Sequence, residues 1–177
     1  MDEVCTPRDF TKAVEWLKKG DQADVLQCTY QFTKHYMHGD GVESDVRKYF
    51  ECLYKASNQG YEEAYNELGN CYKYGVGTEQ DGSSAFEWYQ KAASVSIEGV
   101  WNLANCYIYA IGTEKDDKMA IELYKMAAEQ GYAPAQFDLG ICYRQGEGVD
   151  KDPLTAISWY LKAAEQGHGG AMNNLGI

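Results

Sequence analysis

Three segments of this chain spell nearly the same 29 residues. LGNCYKYGVGTEQDGSSAFEWYQKAASVS begins at Leu68, LANCYIYAIGTEKDDKMAIELYKMAAEQG at Leu103, and LGICYRQGEGVDKDPLTAISWYLKAAEQG at Leu139. In register, Leu68, Leu103, Leu139 and Leu175 stand 35, 36 and 36 residues apart. The tyrosines Tyr36, Tyr72, Tyr107 and Tyr143 align one helical turn on, and so do Asp45, Asp81, Asp116 and Asp152 further along. A period near 36 residues constrains the fold more than any other feature. One repeat is too small to bury its own apolar face, so like units must stack and cover one another.

Each repeated slot has a mechanical reading. Ala64, Leu68, Cys71 and Tyr72 lie at i, i+4, i+7 and i+8, which makes one apolar stripe on a helix, here called helix A. Gly75 and Gly77 then break that helix and supply turn conformations. Asp81 is placed to cap a second helix, B, and Asp152-Pro153 states the same start with proline at the first helical position. Helix B carries Ala85, Trp88, Tyr89 and Ala92 inward, and Gly60, Gly131 and Gly167 end its copies. The register predicts an all-α chain: a right-handed superhelical α/α solenoid of antiparallel helix pairs, one domain over 1–177. It opens with a lone B-type helix at 9–26. Full repeats follow at 27–62, 63–97, 98–133 and 134–169, with a partial repeat at 170–177. The third repeat is one residue short between Ser96 and Leu103, and it has Ala110 in a turn-glycine slot, so a local irregularity is expected there.

Written as a pattern, A-x3-LG-x2-Y-x2-G-x-G-[VT]-x3-D-x3-A-x2-WY-x-KAAE-x-G resembles the Sel-1-like repeat, a relative of the tetratricopeptide repeat. AQFDLGICYRQGEGVDKDPLTAISWYLKAAEQGH matches it almost slot for slot. The resemblance covers about residues 27–177, and 9–26 more loosely. It implies a scaffold for protein–protein contact, in complex assembly, signalling, quality control or host–microbe contact. Some bacterial members of the family are associated with β-lactam binding and hydrolysis. Those carry a cysteine pair bridging the helices of each repeat, whereas here the helix-B slot holds Ala93, Ala128 or Ala164.

Composition narrows the partners. The formal net charge is −11 over 177 residues, which argues against nucleic-acid phosphates and anionic lipid and favours a protein or peptide of basic character. No run of 18 apolar residues is present, so no membrane span is expected. The start MDEVCTPRDF lacks the n- and h-regions of a secretory signal, and cytoplasmic residence is the default reading. Cys71, Cys106 and Cys142 share one slot of successive repeats. Stacked helices stand about 8–10 Å apart, beyond the roughly 7 Å reach of a disulfide, so buried free thiols in a reducing compartment are expected.

A superhelix of helix pairs lines its concave side with A helices. Side chains opposite the buried stripe then face the groove: Tyr30, Asn66, Trp101 and Phe137, and one turn on Lys34, Asn70, Asn105 and Ile141. A further turn on come His38, Tyr74 and Tyr109, with Lys73 and Arg144 flanking. Trp101 and Phe137 read as aromatic anchors of an interface. Asn70 and Asn105 offer donor and acceptor to an extended peptide. The competing reading is that superhelical twist buries Trp101 and Phe137 against neighbouring helices.

Chemistry is sparsely signalled. His35 and His38 with Asp40 and Glu43 have ligand types for zinc, but no HExxH or CxxC pair supports a metal. There is no GxSxG or GxxxxGK, and the GxG turns follow no strand. The chain is read as a non-enzyme without cofactor. Two other readings remain open beside the adaptor. One is a structural or regulatory segment of a larger protein, stacking end to end through the open repeat at AMNNLGI. The other is a β-lactam hydrolase, which turnover of a chromogenic β-lactam would reveal.

Overall fold

The computed structural model describes Tyr30, Thr33, Tyr36, Met37 and residues 44–176. The predicted helix at 9–26 and the His35/His38 group lie outside the described residues. The chain divides into two compact units, Met1–Asp81 and Gly82–Ile177. In the first, α1 spans Val46–Asn58, and a 3-10 turn at Glu62–Ala64 leads into α2, Tyr65–Tyr74. In the second, α3 is Gly82–Ala93, α4 Ile97–Tyr109, α5 Asp117–Glu129, α6 Ala133–Gln145, α7 Pro153–Glu165 and α8 Gly169–Leu175. No strand occurs among the described residues. The even-numbered helices are A helices and the odd-numbered ones B helices. Within each unit every helix packs on the next, α1 on α2 and then α3 on α4 through to α7 on α8.

The stacked slots form the cores. Leu68, Leu139 and the ring of Tyr89 are fully buried, with Tyr124 and Tyr160 nearly so. Cys71, Cys106 and Cys142 are buried and form no disulfide, as their shared slot implied. Burial pushes the Cys71 and Cys142 thiols up to about 12, so neither offers a thiolate near neutrality. Leu103 departs from its slot and is only half-buried. On the B helices, Lys91 lies 3.7 Å from the Trp88 ring centroid and Lys162 lies 3.9 Å from that of Trp159. The repeated lysine three residues after the tryptophan slot thus shields a large ring with its own charge.

One hydrogen bond recurs at every A-to-B turn. The aspartate N–H donates to the tyrosine-slot carbonyl, from Asp45 to Tyr36, Asp81 to Tyr72, Asp116 to Tyr107 and Asp152 to Tyr143, all at 2.9–3.0 Å. The side chains of Asp45, Asp116 and Asp152 then cap the following helix by accepting from its free N–H groups. These turns require left-handed backbone at the residue that closes each A helix. Glycine supplies it at Gly75 and Gly146, but Ala110 adopts φ +54° in the third repeat. An alanine there is strained by its Cβ. Ala110→Gly is therefore expected to raise stability by about 0.5–1 kcal/mol, the relieved strain less the extra entropy of glycine in the unfolded chain. An unchanged or lower urea midpoint would refute this.

The B-to-A turns divide into two kinds. After α1, α5 and α7, a glycine at φ near +85° lets the next N–H reach back five residues, as in Tyr132 to Ala127 at 3.1 Å. The third repeat lacks that glycine and is one residue shorter. There the Ser96 N–H reaches only four residues back, to Ala92 at 2.9 Å, and the Ser96 hydroxyl oxygen accepts from the Gly99 N–H at 3.0 Å. The shorter turn draws α4 against the end of α3, and Gly99 is the point of contact. A Cβ at Gly99 would fall on the Ala92 carbonyl. The expected irregularity is thus a closer helix approach, permitted by glycine.

Candidate functional site

Of the residues placed on the A-helix face, Lys34 and His38 lie outside the described residues. The others divide by what covers them. Asn66 and Asn105 are buried. The Asn105 carboxamide oxygen accepts from the buried Tyr124 hydroxyl at 2.7 Å, so this amide braces α4 against α5 instead of gripping a peptide. Asn70 is half-buried.

Tyr30, Trp101 and Phe137 share one slot, and all three are half-buried. Trp101 Nε1–H donates to Asp138 Oδ2 at 2.7 Å, and its ring meets Tyr132 edge-on at 5.8 Å. Tyr30 makes the corresponding bond in the first unit, from its hydroxyl to Glu67 Oε1 at 2.7 Å. Phe137 has no donor to give. It stacks on His168 at 4.5 Å and tilts against Tyr160 at 5.8 Å. The competing reading therefore holds in part, since these rings pack between neighbouring helices while keeping one edge open.

The open members lie toward the C-terminal ends of the A helices. Tyr74 is 65% exposed and Tyr109 69%, in the same slot of successive repeats. Lys73 is half-buried, with Nζ 4.9 Å from the Tyr74 ring centroid. In the second unit Ile141 is half-buried and Arg144 exposed.

Asp138 escaped the sequence reading, although a signal existed. Trp101 and Asp138, like Tyr30 and Glu67, are 37 residues apart. A ring slot and the acidic slot one position on in the next repeat therefore form a pair. Glu67, Asn102 and Asp138 fill that acidic slot in successive repeats. Burial raises the Asp138 pKa above its usual value, opposed by the Trp101 hydrogen bond and by His168. Partial burial, and then the negative fields of Asp138 and Glu147, raise the Tyr109 hydroxyl as well. Among the described residues no group of three or more His, Cys, Asp or Glu is placed to hold a metal. No described helix is long and apolar enough to cross a membrane. What the arrangement offers is contact chemistry: exposed rings, amide and carboxylate oxygens, and a negative field.

Comparison with known proteins gives a family and a fold. The family model described as Sel1 repeat matches residues 3–20, 34–61, 62–94, 97–132 and 133–168. Among solved structures the chain is similar to c5321, a protective antigen of uropathogenic Escherichia coli strains that displays an SLR fold. That match has 32% identity and a TM-score of 0.83, and it covers 92% of this chain and 35% of that one. A Sel1 repeat protein from Oxalobacter formigenes is similar at 28% identity and a TM-score of 0.81, covering 93% of this chain and 69% of the other. The chain thus spans about a third of the length of the E. coli protein. No curated protein matches the sequence.

Proposed function

The chain belongs to the Sel1 repeat family, and on that premise we propose that it is a non-enzymatic scaffold binding a polypeptide partner along its A-helix face. Sel1 repeat proteins are generally protein–protein interaction scaffolds. The observation that carries the choice of face is the pair Tyr74 and Tyr109. Each presents a largely exposed ring at the same repeat position, where an A helix ends. Tyrosine combines a large apolar body with a polar tip and few rotatable bonds, which makes it effective at interface centres. The net charge of −11 favours a partner with basic character. Cytoplasmic residence belongs to the same proposal, supported by the buried Cys71 and Cys142, which form no disulfide.

The B-helix face supplies the control. On α7, Leu154, Ile157 and Leu161 are exposed at 80%, 45% and 47%. Three baits are compared in capture of partner proteins: the wild-type chain, Tyr74→Ala/Tyr109→Ala, and Leu154→Ala/Ile157→Ala. All four positions are exposed, so helical content should match across the three. The tyrosine variant is expected to lose a partner that the α7 variant retains. Retention by the tyrosine variant with loss by the α7 variant would move recognition to the B face and overturn the proposal.

A further inference from the structure

The second unit holds a half-buried carboxylate to which no described lysine or arginine is paired. Asp138 Oδ2 accepts the Trp101 indole N–H, and among the described residues no lysine or arginine pairs with Asp138. The same slot is closed off elsewhere. Both Glu67 oxygens accept tyrosine hydroxyls, from Tyr30 at 2.7 Å and Tyr49 at 3.2 Å. Asn102 fills the slot in the third repeat, where it is neutral and buried. Among the described residues of this slot, Asp138 is the carboxylate with an oxygen, Oδ1, that accepts from no protein donor.

The surroundings do not neutralise it. Glu147 acts together with Asp138 on the Tyr109 hydroxyl, and Glu98 acts together with it on Tyr132. Lys115 is engaged by Asp117 and Glu147, at 2.9 and 3.3 Å. His168 bears on Asp138 but gives it no fixed counter-charge. Its ring is stacked on Phe137, and its Nδ1 accepts the Ala171 N–H at 3.3 Å. A carboxylate drawn out of water without a counter-charge is unfavourable, and a docking cation recovers part of that cost.

We propose that Asp138, held by the Trp101 indole, is the recognition point for one basic side chain of the polypeptide partner. This rests on the scaffold reading above and names what the partner must present. The Trp101 N–H holds the carboxylate in one orientation, so Oδ1 meets the incoming lysine or arginine preorganised. Asp138 then selects for the cation, while Tyr109, exposed in the same unit, supplies contact area.

The test follows the Trp101 indole N–H resonance in 15N-labelled protein, assigned by its loss in Trp101→Phe. The probe is the peptide Gly-Gly-Arg-Gly-Gly amide. The control replaces arginine with citrulline, its neutral isostere. The arginine peptide is expected to shift the resonance saturably, and the citrulline peptide to bind at least tenfold more weakly. Asp138→Asn keeps an acceptor for the indole and should abolish the arginine preference. Should that variant misfold, acid titration of the wild type decides. Protonating Asp138 must release the arginine peptide as the pH is lowered. Equal response to both peptides, equal binding by Asp138→Asn, a Trp101 resonance that never moves, or binding indifferent to acid would each overturn the assignment. Partner capture with the tyrosine baits reads separately. Capture without any arginine response defeats only the Asp138 assignment, while an arginine response without capture defeats the scaffold reading.

Discussion

Replacing Gly99 with alanine is expected to lower stability by about 3 kcal/mol, at the upper end of what overpacking usually costs. Gly99 lies inside α4, where alanine would ordinarily strengthen a helix by about 1 kcal/mol. The sign reverses because the added Cβ meets backbone, namely the Ala92 carbonyl and the Ala93 nitrogen. A flexible side chain could turn aside, but these atoms belong to the last turn of α3. The helices must part, and the hydrogen bonds that Ser96 makes to Ala92 and Gly99 must stretch with them. The same slot in the neighbouring repeats is a fully buried alanine, Ala64 or Ala135. Ala135→Gly should therefore cost about 0.5–1 kcal/mol, so at one repeat position the preference runs opposite ways. Urea unfolding of both variants decides this, and a Gly99→Ala midpoint equal to wild type would show that the short turn does not force the close approach.

Gly148→Ala is expected to cost a similar amount, about 3 kcal/mol, for two combined reasons. Its φ is +68°, a conformation that alanine holds only with strain. In addition, a Cβ there would stand 2.6 Å from the Asp117 carbonyl oxygen and 2.9 Å from Ile121 Cγ1. The turn after α6 is thus seated on the first turn of α5. Gly77 sits against Val46 and Gly112 against Gly82 in the same manner. Gly146, the first glycine of the same turn, is the control. Its φ is +78°, but a Cβ would find nothing nearer than 3.3 Å, and Gly146→Ala should cost only about 1 kcal/mol. The third repeat already tolerates Ala110 in that first slot. Thermal unfolding of the two variants side by side tests the distinction, and equal losses would leave backbone strain as the whole explanation.

The contact residues were harder to read than the scaffold. Tyr74 and Tyr109 were placed on an open face and are open. Asn66 and Asn105 were placed on the same face and are buried, the latter under the Tyr124 hydroxyl. An A helix in a stack is touched by the B helix before it and the B helix after it, as α4 is by α3 and α5. Its open strip is therefore narrower than the half-circumference that an apolar stripe leaves over. Asp138 was passed over for a related reason. An acidic residue beside a core leucine reads as solvated, until a ring from the previous repeat is found to donate to it.

By itself the sequence determined what is local and periodic. The 36-residue spacing, the capping aspartates, the turn glycines and the apolar slots prescribe helix pairs and their order, because each acts within one or two turns of chain. Tertiary structure alone decided how closely successive helices approach. That distance sets Gly99 and Gly148 against the backbone of a neighbouring helix, buries Asn105, and leaves Asp138 Oδ1 without a donor among the described residues. Such distances follow from how whole helices seat on one another, where a carbonyl of one repeat meets a missing side chain of the next, and no single repeat carries that information.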